Sequence, residues 1–409
     1  MKDKQTEKLI KQEQERQNKT LDLIASENFV SKDVLDALGS VFTNKYAEGY
    51  PNTRYYHGAE VVDKLEELVR TRALKLFKLS PKKWNVNVQP YSGSPANLAI
   101  LLALVPRGEK IMGMRLDMGG HLTHGYKASA TGKLWQGVHC VLDKKTEKLD
   151  YREVLKLAKK EKPKLIIAGG SAYSWKLDFK KFRKIVDAVH ALLLVDMSHF
   201  AGLVAGGAYP SPFSCADVVM TTTHKTLRGP RAALIFSKKE LSKNIDRMVF
   251  PGIQGGPHLN VIAAIGVALH EASFPGFKKY AKQVVKNTRV LAEELKKLGW
   301  RMVSGGTNTH LFNIDTFQNG ISGNEAADLL EKAGIVVNIE AIPYDLRSPK
   351  DPSGIRLGTA ALTTWGMKEK EMKIIAGIID KVLRKREISS VKKAVSRLCK
   401  KFPIYGYRW

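Results

Sequence analysis

The chain has 409 residues, 44% of them hydrophobic, and a formal charge of +27. That length and apolar content provide for two or three domains with cores of their own and exclude disorder as the global state. No stretch approaches the roughly 18 to 20 apolar residues of a membrane helix, the best candidate being the short run 96–105.

The first two dozen residues read as a charged amphipathic helix, an N-terminal arm over residues 1–25, with Leu9, Ile10, Leu21 and Ile24 set among Lys, Glu and Gln. The arm lacks the apolar centre of a secretory signal, so a cytoplasmic location is expected. From there to about residue 270 helix and strand patterns alternate. The apolar runs 165–168, 191–195, 217–221 and 232–236 are short and β-branched enough to be buried parallel strands, with helical patterns at 151–160 and 179–190 between them. That order gives an α/β class: a large domain, residues 26–270, with a mostly parallel sheet flanked by helices. A long helical pattern over 260–298, interrupted near Pro275, leads into segments at 310–314, 325–333 and 368–384, read as a smaller C-terminal α+β domain over 271–409. The one loop-rich region is 343–354.

Cys140, Cys215 and Cys399 lie far apart without a CxxC pair, which argues against a zinc ribbon, a redox pair or a disulfide framework. The positive charge favours anionic partners, whether phosphate cofactors, carboxylated substrates or nucleic acid. Its lysines fall as KK and KxxK pairs on helical stretches such as 278–297, which read as solvated faces, and no RNA-binding signature with interleaved aromatics appears. Neither nucleic acid nor a membrane is expected as a partner.

In an open α/β sheet ligands bind beyond the carboxyl ends of the strands. Asp196 directly follows the apolar run in ALLLVDMSHFAG, and Lys225 lies just past the next strand in ADVVMTTTHKTLRGPR. A lysine there can be a plain surface cation, but this one sits on a turn constrained by Gly229-Pro230. A lysine with a pKa lowered by burial forms a Schiff base with an aldehyde cofactor. Pyridoxal phosphate also needs a carboxylate beside its ring nitrogen, and Asp196 would supply it. Ser92, Gly93 and Ser94 turn into an apolar helix and could hold a phosphate, although such turns are also common caps. In GGHLTHG, His121 and His124 are spaced for chelation on a helix. The flanking glycines argue for a loop and nothing nearby completes a ligand set, so no metal is expected; stacking of His121 on a planar cofactor is the better use, with a structural role as the alternative.

The strings LIASENF, NKYAEGYPNTRYY, SGSPAN, GGHLTHG, SAYS, DMSHFAGL, TTTHKTLRGPR, FPGIQGGP and SGIRLGT, in that order, resemble serine hydroxymethyltransferase from about Leu21 to the C-terminus. The resemblance implies an aminotransferase-like, fold-type I pyridoxal-phosphate enzyme. Such an enzyme reversibly moves the hydroxymethyl group of serine to a tetrahydropterin, either tetrahydrofolate or a modified pterin, and leaves glycine. It implies Lys225 as the Schiff-base lysine, Asp196 as partner of the pyridine nitrogen and His121 as the stacked ring. Ser171, His199 and His224 would also contact the cofactor, and Ser92, Gly93 and Ser94 would hold its phosphate. Tyr46, Glu48, Tyr56, Gly255 and Gly256 would reach into the neighbouring subunit of an obligate homodimer, which could pair further into a tetramer. Ser26 and Arg356 would bind the amino acid, with Glu48 handling protons at its hydroxyl and Tyr56 beside it.

Leu116, Gly119, Gly120, Leu122, Phe250 and Asn338 fit the pterin site of that family. Glu340 stands where the family usually has a second asparagine, Tyr91 replaces a more usual histidine before SGS, and His57 enlarges a usually small position. An acid at position 340 turns a neutral donor and acceptor into an acceptor alone, which could tune the site for a modified pterin or weaken carrier binding. Two rival readings remain: a threonine-aldolase-like enzyme on the same fold that works without a pterin, and a basic RNA-binding protein that keeps the fold as a scaffold.

Overall fold

The computed structural model describes residues 1–404 and divides into two compact units, one of residues 30–281 and one of residues 1–29 with 282–409. The larger unit is built on seven strands: β1 (Trp84–Asn87), β2 (Lys110–Met114), β3 (Gln136–Cys140), β4 (Leu165–Gly169), β5 (Leu192–Asp196), β6 (Val218–Thr222) and β7 (Ala233–Lys238). Their order across the sheet is β1-β7-β6-β5-β4-β2-β3. The pairs from β3 to β6 are parallel, whereas β7 runs antiparallel to both β6 and β1. The expectation of a parallel strand at 232–236 is therefore corrected. Only a tight connection joins β6 to β7, too short for the crossover that a parallel neighbour requires.

The central strands are largely apolar because helices cover both faces, and Ile111, Leu165, Ile167, Leu194, Val218 and Ile235 share one core with the helix Gly93–Leu104. Register then sets the chemistry. Asp196 ends β5 level with Gly169 of β4 and Met220 of β6, so the first polar side chain after the apolar run emerges at the carboxyl edge of the sheet.

In the other unit, the strands β8 (Arg301–Met302), β9 (Leu311–Asp315), β10 (Asn338–Glu340) and β11 (Gly354–Gly358) form an antiparallel sheet in the order β8-β9-β11-β10. Its core includes Trp300, Phe312, Ile314, Ile355, Ile375 and Ile379. The N-terminal segment corrects a second expectation. Its helix stops at Lys19, and Leu21–Asp22 forms a short strand parallel to Ile335–Val336, with Leu21 and Leu23 fully buried. Burial of those two side chains outweighs continuation of a helix that buries no residue of its own. The long pattern over 260–298 is two helices, Leu259–Ala272 and Pro275–Lys297. Among the described residues no single helix is long and apolar enough to cross a membrane. All three cysteines are free and buried.

The turn after β6 is locked from below by backbone contact. Thr226 Oγ1 donates to His199 O at 2.9 Å and accepts from Gly202 N at 3.0 Å, and a Cβ on Gly202 would lie 2.1 Å from Thr226 O. Gly202→Val is expected to destabilise the protein by roughly 1–3 kcal/mol, as forced overpacking does, with a matching fall in Tm by circular dichroism. An unchanged Tm would show that the helix and the turn do not depend on this contact.

Candidate active site

Asp196 is buried at the end of β5, yet three donors meet its carboxylate. Asn97 Nδ2 donates to Oδ2 at 3.0 Å, His124 Nε2 lies 3.2 Å from the same oxygen, and Ser198 N donates to Oδ1 at 3.1 Å. Burial pushes the group up, but His124 first, then His121 and Ser198, hold it well below the usual carboxylate range. It is a fixed negative charge facing the sheet edge.

His121 and His124 belong to the same network. Thr123 Oγ1 accepts from Asn97 Nδ2 at 2.8 Å and lies 2.8 Å from His121 Nδ1. His121 N lies 3.4 Å from His124 Nδ1, which leaves Nε2–H to donate to Asp196. The segment is a loop, as its glycines suggested. One expectation is corrected: His121, His124 and Asp196 bring a nitrogen or oxygen each within 4.8 Å of one another, so a third candidate ligand does exist, supplied from 72 residues away by the fold. Sequence proximity could not show it. The hydrogen bonds just described already engage these atoms.

Lys225 lies on the turn after β6, partly buried, and its Nζ donates to Thr222 Oγ1 at 3.0 Å. The same threonine touches the start of the helix Gly93–Leu104, since a Cβ on Gly93 would sit 2.7 Å from Thr222 Cγ2. One residue thus joins the lysine to the SGS turn. Ser92 is the N-cap of that helix but its side chain makes no capping bond, so backbone N–H groups of the first turn face outward with the positive end of the helix dipole. Beside the lysine, His224 is pushed down to about 3 by burial, then by Lys225 and Arg231, and its buried Nδ1 has no partner among the described residues. A neutral ring with an orphaned nitrogen, a buried carboxylate kept ionised, an amine and an anion-ready helix start form a donor set that fits pyridoxal phosphate. Ser171 N donates to Gly119 O at 2.7 Å, which ties the SAYS segment to the GGHLTHG loop of Leu116, Gly120 and Leu122. His199 is buried beneath the turn.

A second group gathers around the NKYAEGYPNTRYY hairpin. Tyr46 OH donates to Glu48 Oε1 at 3.3 Å, and Tyr46 meets Tyr56 edge to face at 5.1 Å. Gly255 and Gly256 back onto these residues: a Cβ on the first would lie 3.0 Å from Glu48 Oε1, and one on the second 3.0 Å from the Tyr46 ring. Tyr91 joins this group to the SGS turn, donating from its hydroxyl to Gly256 O at 2.7 Å and stacking on His258 at 4.2 Å. Phe250 contacts Tyr55 at 5.8 Å. Tyr46, Tyr55 and Tyr56 are 53%, 76% and 44% exposed.

What holds Glu48 in place was not visible in the sequence. Arg54 Nη1 donates to the carbonyls on either side of it, Ala47 O at 3.2 Å and Gly49 O at 2.6 Å, while Nε reaches Asp63 at 2.8 Å and Nη2 reaches Glu66 at 2.6 Å. Gln89 Nε2 donates to both Gly49 O at 2.9 Å and Glu66 Oε1 at 3.0 Å. Burial pushes Glu66 up, and Arg54 and then Gln89 draw it back. Of the residues missed, Asn97 carried the clearest signal, a lone amide one turn into an apolar helix. Thr222 and the Arg54–Glu66 pair carried none.

Ser26, Arg356, Asn338 and Glu340 lie in the other unit. Gly358 N donates to Leu23 O at 2.8 Å, which sets the segment before Ser26 alongside the strand that carries Arg356. Arg356 Nε donates to Asn338 Oδ1 at 3.0 Å.

The serine hydroxymethyltransferase family model matches residues 1–379. The chain is 52% identical over 402 residues to the serine hydroxymethyltransferase of Desulfotalea psychrophila, covering 97% of this chain and 93% of that protein. It is 52% identical over 410 residues to the one of Koribacter versatilis, covering 99% and 95%, and 53% identical over 396 residues to the one of Acidobacterium capsulatum, covering 96% and 92%.

Replacing Arg54 by methionine leaves Glu66 buried without its ion partner and is expected to cost about 3–5 kcal/mol in denaturant unfolding. The double variant Arg54→Met/Glu66→Met should recover much of that loss. Equal stability of the single variant and the wild type would remove the clamp from the account.

Proposed function

The chain belongs to the serine hydroxymethyltransferase family, and we propose that it performs that family's reaction through Lys225, Asp196, the SGS turn and Glu48. The reaction is reversible transfer of the serine hydroxymethyl group to a folate-type pterin, giving glycine. One observation carries the assignment: Thr222 meets both the Lys225 amine and the Gly93 turn, while Asp196 is kept ionised despite burial.

Pyridoxal phosphate, when bound, supplies the electron sink for the pair released as the Cα–Cβ bond of serine breaks. Lys225 is the amine that would hold the cofactor aldehyde and would be released when the substrate amino group takes its place. Asp196 would hold a proton on the ring nitrogen, and its three donors keep its own carboxylate ionised. The N–H groups after Ser92, with the hydroxyls of Ser92 and Ser94, receive the phosphate. His121 would stack on the cofactor, and Ser171, His199 and His224 would also contact it. Ser26 and Arg356 bind the amino-acid carboxylate, for which a guanidinium fork gives two parallel charge-assisted bonds. Glu48 accepts the serine hydroxyl proton as the bond breaks and returns one in the reverse direction, with Tyr56 beside it. Leu116, Gly120, Leu122, Phe250 and Asn338 are assigned to the pterin.

We further propose a homodimer in which Tyr46, Glu48, Tyr56, Gly255 and Gly256 serve the partner's site. Three tyrosines in one hairpin, each at least 44% exposed, support a surface that a second copy covers. A cytoplasmic setting accords with three buried, free cysteines.

Glu48→Gln keeps the shape and removes the base, so kcat for serine with tetrahydrofolate should fall about 10²–10⁴-fold with glycine binding intact. A kcat within about threefold of wild type would move proton handling to another group. Asp196→Asn should weaken the cofactor's visible absorbance change on adding glycine while the phosphate stays anchored; an unaltered response would remove Asp196 from the ring nitrogen.

A further inference from the structure

In β11 Arg356 stands directly opposite Asn338 of β10, and Glu340 follows two residues on, on the same face of its strand. Arg356 is 8% exposed. Its Nε–H donates to Asn338 Oδ1 at 3.0 Å, and Glu340 Oε2 lies 3.6 Å from the same nitrogen. Asn338 Nδ2 donates to that Glu340 oxygen at 3.3 Å, so one amide braces the carboxylate and the guanidinium together. Burial pushes Arg356 down and Glu340 opposes the shift. Burial pushes Glu340 up, and Arg356, then Asn338, draw it back.

We propose that Glu340 is an internal counter-charge on Arg356, a positioning residue that sets affinity for the amino-acid carboxylate rather than a contact for the pterin. The inference rests on the assignment of Arg356 to that carboxylate. With Glu340 ionised, the pair presents little net charge, and an arriving carboxylate feels a fraction of the attraction of a bare guanidinium. When Glu340 takes up a proton, the full charge of Arg356 is available. Amino-acid binding is thereby coupled to a proton on Glu340.

The neighbouring elements of the same unit place these groups around the pair. From β9, the residue opposite Arg356 is the uncharged Asn313. The helix Gly323–Lys332 packs against β10 and β11 through buried Gly323, Ala326 and Leu330. Its charged residues Glu325, Asp328, Glu331 and Lys332 are exposed, and Glu325 is paired with Arg386. Asp345, in the loop between the two strands, is bonded to Ser353 N and Oγ at 2.9 and 2.7 Å. An asparagine at position 340 would leave Arg356 without an ionic partner from β10, so the substitution acts on substrate affinity without touching the substrate.

The test is glycine affinity of the holoenzyme, read from the change in cofactor absorbance, for wild type, Glu340→Gln and Arg356→Lys, followed from alkaline pH down to the lowest pH at which the holoenzyme stays folded. Glu340→Gln should bind glycine roughly three- to tenfold tighter than wild type at the alkaline end, where Glu340 is ionised. The ratio should shrink toward one as the pH falls and wild-type Glu340 takes up its proton. KM for tetrahydrofolate should stay close to wild type. Unchanged glycine affinity at every pH, with a shifted KM for tetrahydrofolate, would overturn the proposal and place Glu340 against the pterin. Wild-type glycine affinity in Arg356→Lys would instead sink the underlying assignment of Arg356.

Discussion

A carboxylate taken out of water at the end of a buried strand costs several kcal/mol unless donors meet it, and the larger unit is arranged around meeting that cost at Asp196. Asn97 comes from the helix after the SGS turn, His124 from the loop after β2, and Ser198 from the chain just past β5. Each donor is delivered by a different crossover of the parallel sheet. The charge can therefore exist only when β2, β5 and that helix are all in place, and once it exists it fixes the polarity of the pocket. Leucine at position 196 would be less costly to bury than an unpaired aspartate, so the buried carboxylate argues for chemistry rather than for stability.

Rigidity in the second group has a different origin. The hairpin that carries Tyr46, Glu48 and Tyr56 has little core of its own, and its backbone is held by Arg54, which bonds the carbonyls flanking Glu48 and is itself pinned between Asp63 and Glu66. Gln89 shares the load, and Gln254 continues it by donating to Gln89 O at 3.0 Å and accepting from Tyr91 N at 3.1 Å. Glu48, the glycine pair and the SGS turn thus share one hydrogen-bonded frame. Tyr91, the departure noted before SGS, takes part in that frame through Gly256 O.

How much of this the sequence disclosed follows from burial. The strands 165–169, 192–196 and 218–222 were legible because both of their faces are covered, which makes them continuous apolar runs. The strand Trp84–Asn87 was not, being polar at the sheet edge, nor was Gln136–Cys140 at the opposite edge, which is half exposed. Strand direction leaves no periodic trace, so 232–236 was placed with the parallel strands. In the site, Lys225 and Asp196 stood out because a polar residue after an apolar run is a sharp local contrast. Thr222, Asn97 and Arg54 matter only through partners far along the chain, and His124 acquired its partner 72 residues away. Glu340 was legible as a departure from the family pattern, but its pairing with Arg356 needed the register of β10 against β11.

With a formal charge of +27 the chain carries many amines besides Lys225. In the larger unit Asp196 is met by its three donors and His224 is uncharged beside the Lys225 amine, and in the other unit Arg356 faces Glu340. The account therefore stands or falls on one amine among many lysines. Borohydride reduction of the protein loaded with pyridoxal phosphate, followed by peptide mass mapping, locates the lysine that carries the cofactor. A single reduced adduct on the peptide containing Lys225 is the predicted result; an adduct on another lysine, or none despite bound cofactor, would contradict the assignment.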